Sequence, residues 1–305
     1  MPKIRVSLPL EISLEELLAQ RQHFGKGAIS SINFSYDQLV LHTLSESYSI
    51  GPQGQYKRIY HYHIRKTAGR FVHYSFFNLD KDFENPGDLY RALSEASNAG
   101  HGLLNGTKLF LGWNVQALER GLYYYGFSHE PMHKIKIPPA TFTLTVLRDP
   151  VERFLSHYKM LIQFKEENID HPCMQTEGPW LGNSIYDFIE RIPKEHALNQ
   201  IYMFSENFSV DEAYRNITGL SHYMFQSDLQ TGMKQLGQKL GINFEDVGLV
   251  GAGSKKKLHL PDDALQKLHK LLEPEYELLE RLRNNSTEHR SYLTCTDQQE
   301  KMQLL

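Results

Sequence analysis

A short basic turn carries the residue types that bind a phosphate-like anion. Arg65-Lys66-Thr67-Ala68-Gly69 follows an apolar-aromatic run from Ile59 to Ile64, which predicts a buried strand, and a helical pattern starts at Arg70. Inward-turned backbone N–H groups, a helix N-terminus and a lysine ammonium all attract negative charge. The segment therefore predicts a phosphate-binding turn, although the G-x-x-x-x-G-K-S/T pattern of a Walker A loop is absent.

A second segment places an arginine where a ligand is expected. Thr141 to Leu147 is β-branched and apolar, as a central strand should be, and it ends at Arg148. Asp149-Pro150 has the residue types of a helix N-cap and first helical position, and Val151 to Phe164 continues with helical spacing. Open α/β sheets bind ligands at the carboxyl ends of their strands, so Arg148 is a candidate anion-binding residue.

The two segments together resemble the sulfotransferases, in particular the carbohydrate sulfotransferases that act on glycosaminoglycan hydroxyls. That branch has a His-Ile-Pro-Lys-Thr-Gly-Gly-Thr type loop, which here reads from His63 to Arg70. It also has an Arg-Asp-Pro-x-x-Arg-x-x-Ser-x-Tyr element, which is complete from Arg148 to Tyr158. The resemblance covers roughly Ile59 to Leu282. It implies a P-loop-like sulfotransferase fold and the donor 3′-phosphoadenosine 5′-phosphosulfate, with adenosine 3′,5′-bisphosphate as a product.

The resemblance also implies individual roles. Lys66 is expected to stabilise the leaving group, and Arg148 and Ser156 are expected to bind the 3′-phosphate. The turn residues are expected to hold the 5′-phosphosulfate largely through their N–H groups, and a late Lys-rich loop to close over the nucleotide. The candidate donor-binding residues are Arg65, Lys66, Thr67, Ala68, Gly69, Arg70, Arg148, Ser156, Ser254, Lys255, Lys256 and Lys257.

The turn departs from the family pattern at three positions. Arg65 replaces the usual proline, Ala68 replaces a glycine, and Arg70 stands where a serine or threonine hydroxyl meets the phosphate. Arg70 supplies charge in place of that hydroxyl, but its longer side chain needs a different path to the ligand. Lys66, the residue that matters most for the chemistry, is retained.

The general base is the main gap in the resemblance. The family's catalytic histidine follows a glycine after the second strand, and the matching place here is Gly112-Trp113. His101, His129 and Glu130 are the candidate substitutes, the histidines because an imidazole titrates near physiological pH. Trp113 is a candidate platform for stacking on a sugar ring or another apolar acceptor.

The remaining patterns predict an α/β fold with a central parallel sheet flanked by helices. Residues 1–55 are expected to form a helical N-terminal extension that covers the site, packs on the core or mediates oligomerisation, and residues 56–305 the sulfotransferase domain. Two segments, 114–137 and 165–183, are expected to be acceptor-binding loops, the second also a possible lid. Helices are predicted at 184–192, 209–216, 228–240 and 261–283, a flexible basic loop at 251–257, and a polar, partly disordered tail from residue 284.

Composition limits the range of functions. The 305-residue chain has a formal net charge of −3, so no overall positive field attracts nucleic acid. Two cysteines do not make a disulfide framework, and His61-x-His63 is expected to share one face of a strand rather than bind a metal. The sequence shows neither a signal peptide nor an apolar run near about 18 residues, so it predicts a cytoplasmic protein without a membrane span.

Two other functions stay open at this point. A P-loop-like kinase or nucleotide hydrolase shares the strand–turn–helix and the Lys-Thr pair, but it needs an acidic Mg²⁺ ligand, for which only Asp149 is placed. An inactive anion-binding scaffold would account for the altered turn and the missing histidine. Sequence leaves the acceptor and the oligomeric state undetermined.

Overall fold

Seven strands form one sheet in the computed structural model of the chain, which describes residues 30–33, 45–77, 79, 92–96, 101–105, 108–244 and 260–302. Of these, residues 30–33, 101 and 286–302 are described by their backbone alone. The strands are β1 Ser30–Asn33, β2 Arg58–Tyr62, β3 His101–Asn105, β4 Lys108–Gly112, β5 Tyr125–Ser128, β6 Thr141–Leu147 and β7 His222–Phe225. Their order in the sheet is β1-β3-β4-β5-β2-β6-β7.

The centre of the sheet is parallel and its β1 edge is antiparallel. β4, β5, β2, β6 and β7 are parallel neighbours, whereas β3 runs antiparallel to β4 and β1 antiparallel to β3. Every residue of β2 is buried, which agrees with its apolar-aromatic composition and its place between β5 and β6. The prediction of an α/β fold with a central sheet flanked by helices is confirmed, although the sheet is mostly and not wholly parallel.

Helices account for most of the remaining described chain. They are α1 Gly69–Phe77, α2 Val115–Glu119, α3 Pro150–Glu166, α4 Pro172–Thr176, α5 Ile185–Arg191, α6 Lys194–Ala197, α7 Asn199–Tyr202, α8 Val210–Thr218, α9 Leu229–Leu240 and α10 Asp262–Met302. Asp149 caps α3 as predicted, because its side chain accepts a hydrogen bond of 2.9 Å from the N–H of Glu152, and Pro150 occupies the first turn. None of the helices in the described residues is both long and apolar enough to cross a membrane.

The chain divides into two compact units. The first comprises residues 1–148 and 220–258 and contains the whole sheet with α1, α2 and α9. The second comprises residues 149–219 and 259–305 and is helical. Its apolar core includes Phe154, Leu161, Phe188, Leu268 and Leu272, all with no exposed surface.

Segment 114–137, predicted to be an acceptor-binding loop, contains the central strand β5. The strand was missed because it is short and includes a glycine, which usually weakens a strand. The fold needs that glycine: a Cβ on Gly126 would lie 2.6 Å from Cδ2 of Leu118, so α2 packs directly on the strand backbone.

Segment 165–183 is also not an open loop. α3 continues to Glu166, and α4 and a 3-10 turn at Gly178–Leu181 follow, with Cys173 and Leu181 in the core of the second unit. The prolines of this segment stand in first turns, where they start helices instead of breaking them.

Two predictions about the chain ends have different outcomes. The predicted disordered tail is wrong in the described part, because α10 runs on to Met302; no proline or glycine follows Pro274 to end it. Residues 30–33 of the predicted N-terminal extension form β1 at the sheet edge. The helix that a capping box predicts from Ser13 to about His23 lies outside the described residues, as does the basic loop at 251–257.

Candidate functional site

Four chain segments that leave the sheet at the same edge define the candidate site. Because β4, β5, β2 and β6 are parallel neighbours, their carboxyl ends share one edge. The residues that follow these strands are Trp113 after β4, His129 after β5, the basic turn after β2 and Arg148 after β6. All of them belong to the first unit.

The turn between β2 and α1 has an unusual backbone. Lys66 has a φ of 69° and Ala68 a φ of 75°, so two residues with side chains adopt the left-handed conformation on either side of Thr67. Left-handed residues placed this way curl successive N–H groups into an anion-binding concavity. The φ of Ala68 also gives a physical reason for the glycine that the sulfotransferase pattern has at this position, since glycine adopts it without strain.

The turn leads directly into the N-terminus of α1. The hydroxyl of Thr67 is buried and donates to the carbonyl of Ile64 at 2.8 Å, so it stabilises the turn from within. The N–H groups of Phe71 and Val72 donate to the carbonyl of Ala68 at the start of α1. The N–H groups ahead of them form the first turn of α1, where a helix offers donors and partial positive charge to an anion.

Arg148 contacts the turn from the neighbouring strand. Its Nη1 donates to the carbonyl of Lys66 at 3.1 Å, across a separation of 82 residues. The arginine is therefore a support for the left-handed backbone at Lys66. Its expected contact with a 3′-phosphate stays a prediction.

A backbone carbonyl directly after β2 holds His129 in one tautomer. Its Nδ1 lies 2.7 Å from the carbonyl oxygen of His63, and a carbonyl only accepts, so Nδ1 carries the proton. In the neutral ring Nε2 then carries the lone pair that a general base requires. The next residue, Glu130, is half-buried, and its N–H donates to the hydroxyl of Ser128 at 3.0 Å.

Trp113, the residue directly after β4, has a strained backbone conformation. Its φ is 56°, which is uncommon for a bulky side chain and costs on the order of 1–3 kcal/mol. Its ring centroid lies 4.8 Å from that of Phe127 and 6.4 Å from that of His129. An indole held half-exposed beside the candidate base is suited to contact an acceptor.

Sequence reasoning missed a buried cluster of rings directly under the turn. It consists of His61, His63, His73 and Tyr125, and we call it the imidazole cluster. His61 Nδ1 lies 3.1 Å and His73 Nδ1 2.8 Å from the Tyr125 hydroxyl, and His73 Nε2 lies 3.2 Å from His63 Nδ1. The signal available in the sequence was His61-x-His63 together with a histidine ten residues after His63, on the helix that follows the turn.

Burial keeps the imidazole cluster uncharged. Loss of solvent lowers the pKa of His61 to about 3, and the charge of His129 adds to the effect. Burial, followed by the charges of neighbouring histidines, also lowers the pKa values of His63 and His73 well below the usual range. Burial raises the pKa of Tyr125 well above its usual range. No group of three or more side chains in the described residues has the geometry of a metal site.

The other predicted residues are placed as follows. Arg65 is half-buried and Arg70 is exposed at the turn. His101 begins β3, which pairs antiparallel with β4, so its backbone lies at the end of the sheet where β4 ends. Ser156 lies on α3 in the second unit. The remaining candidates, Ser254 to Lys257, lie outside the described residues.

No protein-family model matches the sequence, and no curated protein matches it.

Proposed function

We propose that this chain is a sulfotransferase that transfers the sulfuryl group of 3′-phosphoadenosine 5′-phosphosulfate to a carbohydrate hydroxyl, on a P-loop-like sulfotransferase fold. The observation that carries the proposal is the turn after β2, in which Lys66 and Ala68 are left-handed and Arg148 contacts the Lys66 carbonyl. The family resemblance of the same two segments supports a sulfuryl rather than a phosphoryl donor. The carbohydrate acceptor rests on that resemblance alone.

The proposed reaction uses the residues that follow β2 and β5. The acceptor oxygen attacks sulfur and forms a new S–O bond, while the bond between sulfur and the bridging oxygen of the 5′-phosphate breaks. The Lys66 ammonium stabilises the negative charge that develops on that bridging oxygen. The proton of the acceptor hydroxyl passes to Nε2 of His129, whose Nδ1–H is held by the His63 carbonyl.

The environment of Asp149 argues against a Mg²⁺-dependent kinase. One carboxylate oxygen accepts the N–H of Glu152 at 2.9 Å, and the other accepts the hydroxyl of Tyr276 at 3.2 Å. Both oxygens thus serve the start of α3, which is the structural role of a helix cap. Asp149 was the one acidic residue that the sequence analysis proposed as the Mg²⁺ ligand of a kinase.

Ligand binding tests the donor site. In a thermal-shift titration, adenosine 3′,5′-bisphosphate is expected to raise the melting temperature more than AMP or ATP, with or without Mg²⁺. Arg148→Ala is expected to abolish this shift, whereas Arg120→Ala, at an exposed arginine of the same unit, should retain it. A shift that requires ATP and Mg²⁺ would instead support the kinase, and no shift with any of these ligands would reject the sulfotransferase.

A further inference from the structure

The parallel ladder between β2 and β5 changes its hydrogen bonds at the candidate base. The register pairs Tyr62 with Ser128, so His63 and His129 are the next residues to face each other. The N–H of His63 still donates to the carbonyl of Ser128 at 3.1 Å, as a parallel ladder requires. The next bond of that ladder would run from the N–H of Glu130 to the carbonyl of His63.

Two other hydrogen bonds replace that ladder bond. The N–H of Glu130 donates instead to the hydroxyl of Ser128, two residues earlier, at 3.0 Å. The carbonyl of His63 accepts Nδ1–H of His129 at 2.7 Å. A serine hydroxyl that binds a backbone N–H in this way competes with the regular ladder and turns the chain. The Ser128 side chain therefore ends the strand pairing and leaves the His63 carbonyl to the imidazole.

A second buried hydroxyl holds the serine in place. The hydroxyl oxygens of Ser128 and Tyr60 lie 2.7 Å apart, and either group can donate. Ser128 is 1% exposed and Tyr60 is 0% exposed, so water does not compete for this bond. Because the serine oxygen is bonded to both Tyr60 and Glu130, the two bonds together favour one rotamer of Ser128.

We propose that Ser128 is a positioning residue for the base, and that Tyr60 supports it. By binding the N–H of Glu130, the serine keeps the His63 carbonyl available to His129 and so fixes the tautomer of that ring. Without the hydroxyl, the Glu130 N–H loses its acceptor, and the ladder geometry offers it the His63 carbonyl instead. The ring of His129 then loses its anchor. This inference rests on the proposed function, in which Nε2 of His129 takes the acceptor proton.

Nitrogen NMR spectra of histidine-labelled protein test the positioning without any substrate, because they distinguish the two neutral tautomers of an imidazole. The parent protein is expected to hold His129 with its proton on Nδ1, whereas Ser128→Ala should populate the other tautomer. The signals of His129 are those that disappear in His129→Gln. Ser128→Thr keeps a hydroxyl and should keep the parent's tautomer. Ser45→Ala, at a serine of the same unit that is also 1% exposed, is the control.

Turnover shows whether the positioning matters for the reaction. In Ser128→Ala, kcat is expected to fall about 10–100-fold while KM for the donor stays the same, because the turn that binds the donor is unchanged. The melting temperature should stay close to that of the parent, since the Glu130 N–H exchanges one acceptor for another. Tyr60→Phe leaves the serine in place and should give a smaller loss of kcat.

The outcomes separate this inference from the proposed function. If Ser128→Ala keeps His129 in the Nδ1–H tautomer, or loses stability without a change in kcat, the positioning role is overturned. If Ser128→Ala does not fold, Tyr60→Phe decides, and an unchanged tautomer in that variant overturns the proposal. A parent protein without turnover would reject the sulfotransferase, and the tautomer in Ser128→Ala would still decide whether Ser128 positions His129.

Discussion

At the scale of single residues, the turn after β2 holds two side-chain-bearing residues in a conformation that favours glycine. Lys66 and Ala68 have φ values of 69° and 75°. Gly69 has a different constraint, since the imidazole of His63 occupies the space that a Cβ would need. Each position therefore makes a separate prediction about what a substitution does.

Ala68→Gly is expected to stabilise the protein. Removing the Cβ relieves left-handed strain of roughly 1–2 kcal/mol, and the greater freedom of glycine in the unfolded chain offsets part of it, which leaves a gain of about 1 kcal/mol. Urea unfolding measures the change. The same substitution at Ala213, inside α8, should destabilise because its helical backbone favours alanine. A loss of stability in Ala68→Gly would contradict the left-handed turn.

Lys66→Ala isolates the contribution of the ammonium group. Alanine has a Cβ, as lysine does, so the left-handed conformation costs the same and the turn is expected to persist. Turnover is expected to fall on the order of 10²–10³-fold. Release of adenosine 3′,5′-bisphosphate from the donor measures the rate, and Lys136→Ala, at an exposed lysine of the same unit, is the control. No turnover in the parent protein, together with weakened ligand binding in Lys66→Ala, would indicate an inactive scaffold.

At the scale of helices, a buried polar cluster joins four helices of the second unit, α3, α6, α7 and α10. Glu275 of α10 and Arg153 of α3 are 0% and 1% exposed. Arg153 Nε lies 3.7 Å from the Glu275 carboxylate, too far for a direct hydrogen bond, and Nη2 donates to the carbonyls of His196 and Ala197. Glu275 instead accepts from the backbone and side-chain nitrogens of Gln200 on α7, at 2.7 and 2.8 Å.

Arg153→Met is expected to destabilise the second unit by about 3–5 kcal/mol, because it leaves the Glu275 charge buried without its cation. Burial already raises the pKa of Glu275, and Arg153 opposes that rise. Urea unfolding measures the loss. The double variant Arg153→Met with Glu275→Leu should recover part of the lost stability. If its loss instead equals the sum of the losses of the two single variants, the two charges do not interact.

At the scale of the whole molecule, buried neutral histidines make stability depend on pH. The cluster histidines have lowered pKa values in the folded protein, and burial also lowers the pKa of His222 to about 4. Below about pH 6.5 the unfolded chain protonates these rings and the folded protein does not, so the unfolded state binds more protons. Their stabilising effect is complete above that pH and is lost as the pH falls.

We therefore expect the free energy of unfolding to fall between pH 6.5 and pH 5 by about 1.4 kcal/mol per pH unit for each of these histidines. Urea titrations at several pH values measure the slope. Because His133 is exposed, His133→Gln should leave the slope unchanged. A flat profile from pH 7 to pH 5 would show that the buried rings are not neutral in the folded protein.

Several elements of the fold have local signals in the amino-acid sequence and could be predicted from it. The apolar run before Arg65 and the Asp149-Pro150 cap predicted β2, α1, β6 and α3, because a strand, a cap and a helix are each specified within a few residues. Local signals failed for β5, because a four-residue strand that contains a glycine has the sequence pattern of a loop. The specific roles expected of Lys66 and Arg148 in donor binding come from the family resemblance, and they stay predictions.

Contacts between residues that are distant in sequence could not be predicted in this way. Arg148 reaches the Lys66 carbonyl across 82 residues, and His129 the His63 carbonyl across 66. Both contacts depend on the order β5-β2-β6 in the sheet. The imidazole cluster likewise needs α1 to pack on β2 and β5. Strand order and helix packing are set by burial of the whole core, a property that no short stretch of sequence carries.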